Sequence, residues 1–312
     1  MSINSSVYPW KEATVVVLNK PNRPDYSLAK AYWPISLLEC AGKLLEKIVA
    51  KHMNQDILIA NLLPPTQFGS QPHYTTIDAV AVLTHCIQAT CATDNVGALL
   101  LFDILGFYDN LHPGRLTQVI CNKGFPPNVC DWVLSFLTNR TARLHISIHT
   151  SDPFNISHGT LQGSPLLPIL SAFYTSALLQ SATHWQHSDL SLYVNDGAIY
   201  TMSVTEKAAA TKAATKYEEV LRWLHWNGLQ ADPAKTELMT FLKKKSTRAG
   251  GCIEGTQYTD PMTGPQHITA TNTLCFLGVF INHKLDWMPH IKIMANHTCS
   301  TVRGISILGN SI

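Results

Sequence analysis

The sequence predicts an α/β chain of the α+β type, centred on a ferredoxin-like antiparallel sheet with helical insertions. Three observations carry that prediction. Leu99-Leu100-Leu101-Phe102-Asp103 is an apolar run closed by an acid, as expected of a buried strand. Two further apolar runs flank Asn195-Asp196-Gly197, and Asn or Asp followed by Gly is the strongest short hairpin signal. From Leu99 to Phe241 the elements run strand, helical insertions, helix, strand, turn, strand, helix, strand, which is the β-α-β-β-α-β order. In that topology the first strand lies beside the hairpin, so Asp103 is expected to meet Asn195 and Asp196.

Each element has its own local signal. Ala13-Thr14-Val15-Val16-Val17-Leu18 is rich in β-branched residues and runs into Asn19-Lys20-Pro21-Asn22-Arg23-Pro24, a strand followed by a loop. Ser36 and Glu39 fit a capping box, and apolar residues at 37, 38, 41, 44, 45, 48 and 49 keep helical spacing to about His52. A second helix is expected from Thr75 or Thr76 through Ile77, Val80, Leu83 and Ile87. After Asp103, a helix opens at Pro113 and closes before Gly124, and another holds Val129, Trp132, Val133, Phe136 and Leu137.

Arg143 to Ile148 alternates as a strand does. Ser164 is expected to cap a helix with Pro165 in its first turn, carrying Leu170, Phe173, Tyr174 and Leu178. Thr205 and Glu206 open an Ala-rich helix that reaches Trp226-Asn227, with Gly228 as its left-handed end. Leu238 to Phe241 reads as a strand, Lys243-Lys244-Lys245 with Arg248 as a solvated face, and Leu274 to Ile281 as one apolar strand before a helical remainder.

Composition narrows the class. The chain has 312 residues, 46% hydrophobic and only 14% charged, against roughly 25% charged in ordinary soluble proteins. A net charge of +2 makes it faintly basic, weak support for a polyanionic partner. The cysteines at 40, 86, 91, 121, 130, 252, 275 and 299 include no C-x-x-C pair, so free thiols in a reducing compartment are expected rather than a zinc site. No apolar run approaches the ~18 residues that span a bilayer, and Met1 to Trp10 lacks the layout of a signal peptide. A soluble, intracellular protein without membrane contact is the expectation.

Two carboxylates at the ends of neighbouring strands suit hard divalent cations such as Mg²⁺, which prefer oxygen ligands and accept substrate phosphates. Two such ions stabilise the attacking and leaving oxygens of an in-line displacement, the chemistry of nucleotidyl transfer. On spacing alone, two unrelated strand-end aspartates explain the pattern about as well.

Ordered blocks add to this. They are Phe102-Asp103-Ile104 with Gly106-Phe107-Tyr108-Asp109-Asn110, then Gln162-Gly163-Ser164-Pro165-Leu166 with Pro168-Ile169-Leu170, then Tyr193-Val194-Asn195-Asp196-Gly197. Tyr32 with Pro34-Ile35-Ser36-Leu37, Gln67-Phe68-Gly69-Ser70, Thr76-Ile77-Asp78-Ala79, Lys235-Thr236-Glu237 and Leu277-Gly278-Val279 support them. Through these blocks, covering roughly residues 10 to 300, the chain resembles the reverse transcriptase domain of a non-LTR (LINE-type) retrotransposon.

The resemblance implies a right-hand polymerase fold, with helical fingers over 1–97 and a palm over 98–241 that carries a helical insertion at 111–155. A primer-grip region and the start of a thumb would follow over 242–312. It implies an RNA template, a DNA primer and deoxynucleoside triphosphates as partners, and two Mg²⁺ ions (or Mn²⁺) as cofactors. Position by position, Asp103 and Asp196 correspond to metal-binding carboxylates, and Asn195 stands within the same catalytic block. Tyr108 corresponds to the bulky residue against the sugar, which otherwise reads as a core aromatic. Gln162 and Gly163 correspond to the loop beside the incoming nucleotide, otherwise a plain turn. Lys235 corresponds to a lysine near the phosphates, otherwise a surface residue. Leu277 and Gly278 correspond to the grip on the primer end, otherwise ordinary core strand. Neither an endonuclease region before Trp10 nor an RNase H region after Ile312 is recognisable.

The departures from the family pattern share a direction. Asn195 replaces an Asp, Trp33 an Arg, Gln71 a basic residue, Leu161 a Pro, Leu167 a Ser, and Leu105 an often polar residue. The changes at 195, 33, 71, 161 and 167 can each arise from one C-to-T change on one DNA strand or the other. A retroelement copy decayed by cytosine deamination is the expectation, with the polymerase impaired at Asn195. The alternative is a relict or a non-catalytic nucleic-acid-binding protein. An unrelated phosphotransferase on a similar sheet leaves the blocks outside that sheet unexplained.

Overall fold

The computed structural model describes residues 8–21, 24–93, 95–146, 148–160, 163–242 and 254–309. The charge run at 243–245 with Arg248, and the residues Leu161 and Gln162, lie outside that description.

Strand β1 (Glu12–Asn19) pairs antiparallel with β2 (Tyr32–Leu37), Val16 opposite Ile35. Ser36 therefore belongs to a strand and is buried, not the start of a helix. The capping-box pattern is overruled by pairing with β1, and helix α1 (Cys40–Ala60) begins after Glu39 with no side-chain cap. Helix α2 (Thr76–Ala92) does carry a capping box. The Thr75 hydroxyl accepts from Asp78 N–H at 3.2 Å, and the Asp78 carboxylate accepts from Thr75 N–H at 2.8 Å.

Strand β3 (Val96–Leu105) is buried along its whole length except Leu105. Helices α3 (Pro113–Asn122) and α4 (Pro127–Leu137) follow, each with proline in its first turn. Strand β4 (Arg140–Ile146) runs parallel to β1 and also holds β5 (His149–Thr150) and β6 (Phe154–Ile156), completing a five-stranded sheet.

Helix α5 (Leu167–Ser181) starts later than its sequence suggests, with no side-chain cap and Pro168 in its first turn. Ser164 instead faces inward. Its hydroxyl donates to buried Glu46 at 2.6 Å and accepts from Leu166 N–H at 3.2 Å. Burial raises the Glu46 carboxyl above its ordinary range.

Strands β7 (Ser188–Tyr193) and β8 (Asp196–Ser203) form the hairpin. Its two-residue turn is Val194-Asn195, not the Asn-Asp-Gly segment, because Tyr193 pairs with Asp196. Val194 sits at φ +62°, a left-handed conformation that β-branched residues rarely adopt. Helix α6 (Glu206–Trp226), capped by Thr205, leads to β9 (Gln230–Ala231) and β10 (Glu237–Phe241). The second sheet runs in the order β10-β3-β8-β7, with β9 continuing beside the end of β3. That is the ferredoxin-like arrangement, first strand in the middle and next to the hairpin.

Both faces of this sheet are covered, which is why β3 reads as unbroken apolar sequence. Leu100, Phe102 and Ile104 join a core with α5 and with the Ala209, Ala213, Tyr217 and Leu221 face of α6. Leu99 and Leu101 alternate into a second core with α2. A polar hairpin, β11 (Gly255–Asp260) and β12 (Gly264–Thr269), contributes Tyr258 and Ile268 to the first core. The expected single strand at 274–281 is a second hairpin, β13 (Thr273–Phe276) and β14 (Val279–Asn282). Leu277 and Gly278 form its turn at φ +51° and +82°, conformations that take the chain out of a strand. Helix α7 (Met288–Gly309) ends the described chain. Among the described residues no helix is long and apolar enough to cross a membrane.

Candidate active site

Asp103 and Asp196 face each other as register partners across β3 and β8. The local sequence explains the close approach. Gly197 follows Asp196 because a Cβ there would come within 2.1 Å of the Phe102 ring. Ile104 N–H donates to the Asn195 carbonyl at 2.9 Å, which fixes the hairpin tip beside the end of β3. From outside, the chain at Gln67-Phe68-Gly69 clasps the hairpin. Phe68 N–H donates to Leu192 O at 2.9 Å, and a Cβ on Gly69 would lie 2.4 Å from Val194 N.

A third segment closes the group. Asp232 N–H donates to Asp103 O at 2.8 Å, and the Asp232 carboxylate accepts from Ala234 N–H at 3.0 Å, folding Pro233–Lys235 into a short 3-10 turn. That turn delivers the Lys235 ammonium 2.8 Å from Asp103 Oδ2. Asn195 Nδ2 donates to the other oxygen, Oδ1, at 2.6 Å. Both oxygens of this buried carboxylate are thus engaged by donors. The Lys235 ammonium is held above its ordinary pKa by its hydrogen bond to Asp103.

Asp196 is raised to about 6, first by burial and then by the negative charge of Asp103, with a hydrogen bond between the two carboxyl groups adding to both. The negative charge of Asp103 beside it is part of that rise, and a bound cation would relieve the repulsion. The donor set is hard oxygen, which suits Mg²⁺ or Mn²⁺ in kind. It is short in number, because the third side chain at the hairpin tip, Asn195, offers one neutral carbonyl and no carboxylate. Among the described residues no group of three or more His, Cys, Asp and Glu side chains is arranged to hold a metal ion.

The carboxylates open into a cleft of about 390 Å³ lined also by Lys235, Glu237, Leu277 and Gly278. The β13–β14 turn therefore shares one cavity with Asp103, Asp196 and Lys235. Tyr108 does not line it. It sits in a 3-10 turn, Phe107–Asn110, that Gly106 enters at φ +54°. Its half-buried phenol is pushed up by burial, eased by the Ser171 hydroxyl, and raised further by the charge of Asp196. Gly163 also lies outside the cleft, at φ +114° against the Ser36 carbonyl of β2. Gln162 falls outside the described residues.

Sequence reasoning gave no role to Glu237, Cys275 or Phe276, which line the cleft, nor to Asp232, which shapes the Lys235 turn. Their signal was proximity to Lys235 and Leu277. Of the departures, Trp33 is 46% exposed on β2, and Gln71 Oε1 is buried with no hydrogen-bond partner among the described residues.

The family profile described as "Reverse transcriptase (RNA-dependent DNA polymerase)" matches residues 18–281. The chain is 27% identical over 300 residues to the probable RNA-directed DNA polymerase from transposon BS of Drosophila melanogaster, covering 91% of this chain and 31% of that protein. It is 25% identical over 290 residues to the RNA-directed DNA polymerase from mobile element jockey of the same species, covering 90% and 30%. It thus spans under a third of the length of these relatives.

Among solved structures, the telomerase of Candida tropicalis in complex with the TWJ fragment of telomeric RNA superimposes with a TM-score of 0.62 at 14% identity, covering 90% of this chain and 45% of that one. The apo form of that telomerase, truncated from its C-terminal domain, gives 0.59 at 14% identity, covering 90% and 56%. Likeness at this identity speaks of the fold alone, the right-hand polymerase fold.

Proposed function

Because the chain belongs to the reverse transcriptase family, we propose that its cleft is the nucleotidyl-transfer site of a retroelement polymerase domain of the non-LTR type, impaired by Asn195. The observation that carries this is convergence. Four separate segments, ending in Asp103, Asn195-Asp196, Lys235 and Leu277-Gly278, meet in one cleft or at its rim.

In this reading Asp103 and Asp196 would hold two Mg²⁺ or Mn²⁺ ions. When bound, such ions neutralise phosphate charge and stabilise the attacking and leaving oxygens. Lys235, now donating to Asp103, would turn its ammonium to the triphosphate of a deoxynucleoside triphosphate. Tyr108 would abut the sugar and exclude a 2′-hydroxyl, with Gln162 and Gly163 beside the base. Leu277 and Gly278 would seat the end of a DNA primer annealed to an RNA template. The fingers, palm and primer-grip ranges of 1–97, 98–241 and 242–312 belong to the same proposal.

Asn195 acts against the chemistry in two ways. It removes one negative charge from the set facing the cations, and its Nδ2 donates to the Asp103 oxygen a cation would use. Loss of one electrostatic group commonly costs at least ~10²–10³ in rate. Primer extension on an RNA template with Mg²⁺ or Mn²⁺ is therefore expected to rise at least about 100-fold in Asn195→Asp. Equal rates in the two proteins would remove Asn195 as the cause of impairment.

A second reading, a nucleic-acid-binding relict, is favoured by Asn195, a neutral amide whose Nδ2 donates to an Asp103 oxygen and adds no charge for a cation. Salt-dependent RNA binding, with no incorporation by either the parent or Asn195→Asp, would select it.

A further inference from the structure

A second cleft, of about 500 Å³, lies at the opposite end of the Phe107–Asn110 turn from Tyr108. It is formed by the start of α3, the loop at His158 and the C-terminal end of α6. Its lining includes His112, Arg115, His158, His225 and Trp226, and no carboxylate among the described residues. None of the blocks that identify the family explains this grouping.

The geometry of the group is fixed. Arg115 Nη1 donates to Trp226 O and, at 3.0 Å, to Asn227 Oδ1, which ties α3 to the end of α6. The guanidinium carries three more donors on Nε and Nη2, held in a planar fork by that tie. His112 Nδ1 accepts from Arg115 N–H, so its ring proton sits on Nε2, as a donor. The rings of His112 and His158 stand 6.2 Å apart. Trp226, 78% exposed, is a large indole left in water in the same cleft as Arg115, and exposed Arg222 lies one helical turn before it.

A guanidinium fork with imidazole donors and an uncovered aromatic, in a cleft lined by no carboxylate among the described residues, matches the chemistry of single-stranded nucleic acid. A phosphate takes the fork and a base stacks on the indole. An acidic peptide satisfies the guanidinium and leaves Trp226 without a role. We infer that this cleft is a contact for single-stranded RNA, separate from the catalytic cleft. The inference rests on the reverse transcriptase reading only for the identity of the strand.

The test is anisotropy of a fluorescein-labelled twelve-nucleotide uridine RNA with the full chain, at several salt concentrations. Trp226→Ala is expected to weaken binding about tenfold, as loss of one base stack does, with an unchanged melting temperature. Arg222→Ala is expected to lower the slope of log affinity against log salt by about 0.7. Binding by Trp226→Ala within twofold of the parent overturns the inference, as does no measurable binding by the parent. Full displacement of the RNA by polyglutamate, equal in parent and Trp226→Ala, also overturns it, in favour of generic polyanion binding. Primer extension by Asn195→Asp, run in parallel, reports on the catalytic cleft independently, so failure at one site is distinguishable from failure at the other.

Discussion

At the scale of single residues, Asp196 carries the electrostatic tension of the site. Its carboxyl is raised to about 6, so the folded state holds its proton more tightly than the unfolded chain does. The associated stability is complete near pH 4 and is lost as the pH rises through about 6. Without divalent cations, Asp196→Asn is therefore expected to be more stable than the parent at pH 7.5 by about 1–2 kcal/mol, after allowance for solvent screening. The two proteins should converge near pH 4 in urea titrations. Gly197 is constrained by shape instead. With the Phe102 ring 2.1 Å from its Cβ position, Gly197→Ala is expected to cost about 1–3 kcal/mol and to lower the urea midpoint without changing the slope. Asp103 and Asp196 were legible because each is an acid at the end of an apolar run. The left-handed Val194 was not, since Val argues locally for strand and only the pairing of Tyr193 with Asp196 forces it into the turn.

Among elements, the contrast between two Thr/Ser-to-acid patterns shows where local signals stop. Thr75 and Asp78 form a true capping box at an exposed helix start, and Thr75→Ala is expected to destabilise the protein by about 1 kcal/mol in thermal denaturation. Ser36 with Glu39 has the same spelling, but Tyr32–Leu37 finds a partner in β1, and that pairing outweighs a single cap. Ser164 misleads likewise, because buried Glu46 claims its hydroxyl before α5 begins. The β11–β12 hairpin was illegible for another reason. Gly255–Asp260 and Gly264–Thr269 place few apolar side chains in the core, so no alternation marks them. Leu274 to Ile281 concealed a turn inside continuous apolar sequence, with Gly278 as its one local sign.

For the whole molecule, the order of blocks along the chain said more than any one of them. The sheet order β10-β3-β8-β7 follows from the succession of elements, and it alone brings Asp103 to the hairpin. The positions read as departures from the family pattern, Trp33, Gln71, Leu161, Leu167 and Asn195, are scattered across the chain, the distribution expected of a mutational process acting on DNA. Sequencing sibling copies is expected to show an excess of C-to-T differences and an Asp at 195 in most; siblings sharing Asn195 without that excess would end the decay idea. The clasp between Gly69 and the hairpin tip has a consequence for anyone recombining related chains. Two segments separated by hundreds of bases of coding sequence are cut to one another's outline, with no Cβ on Gly69 to absorb a mismatch. A chimera that imports a foreign hairpin must import its matching 66–69 segment too, or the joint will not seat.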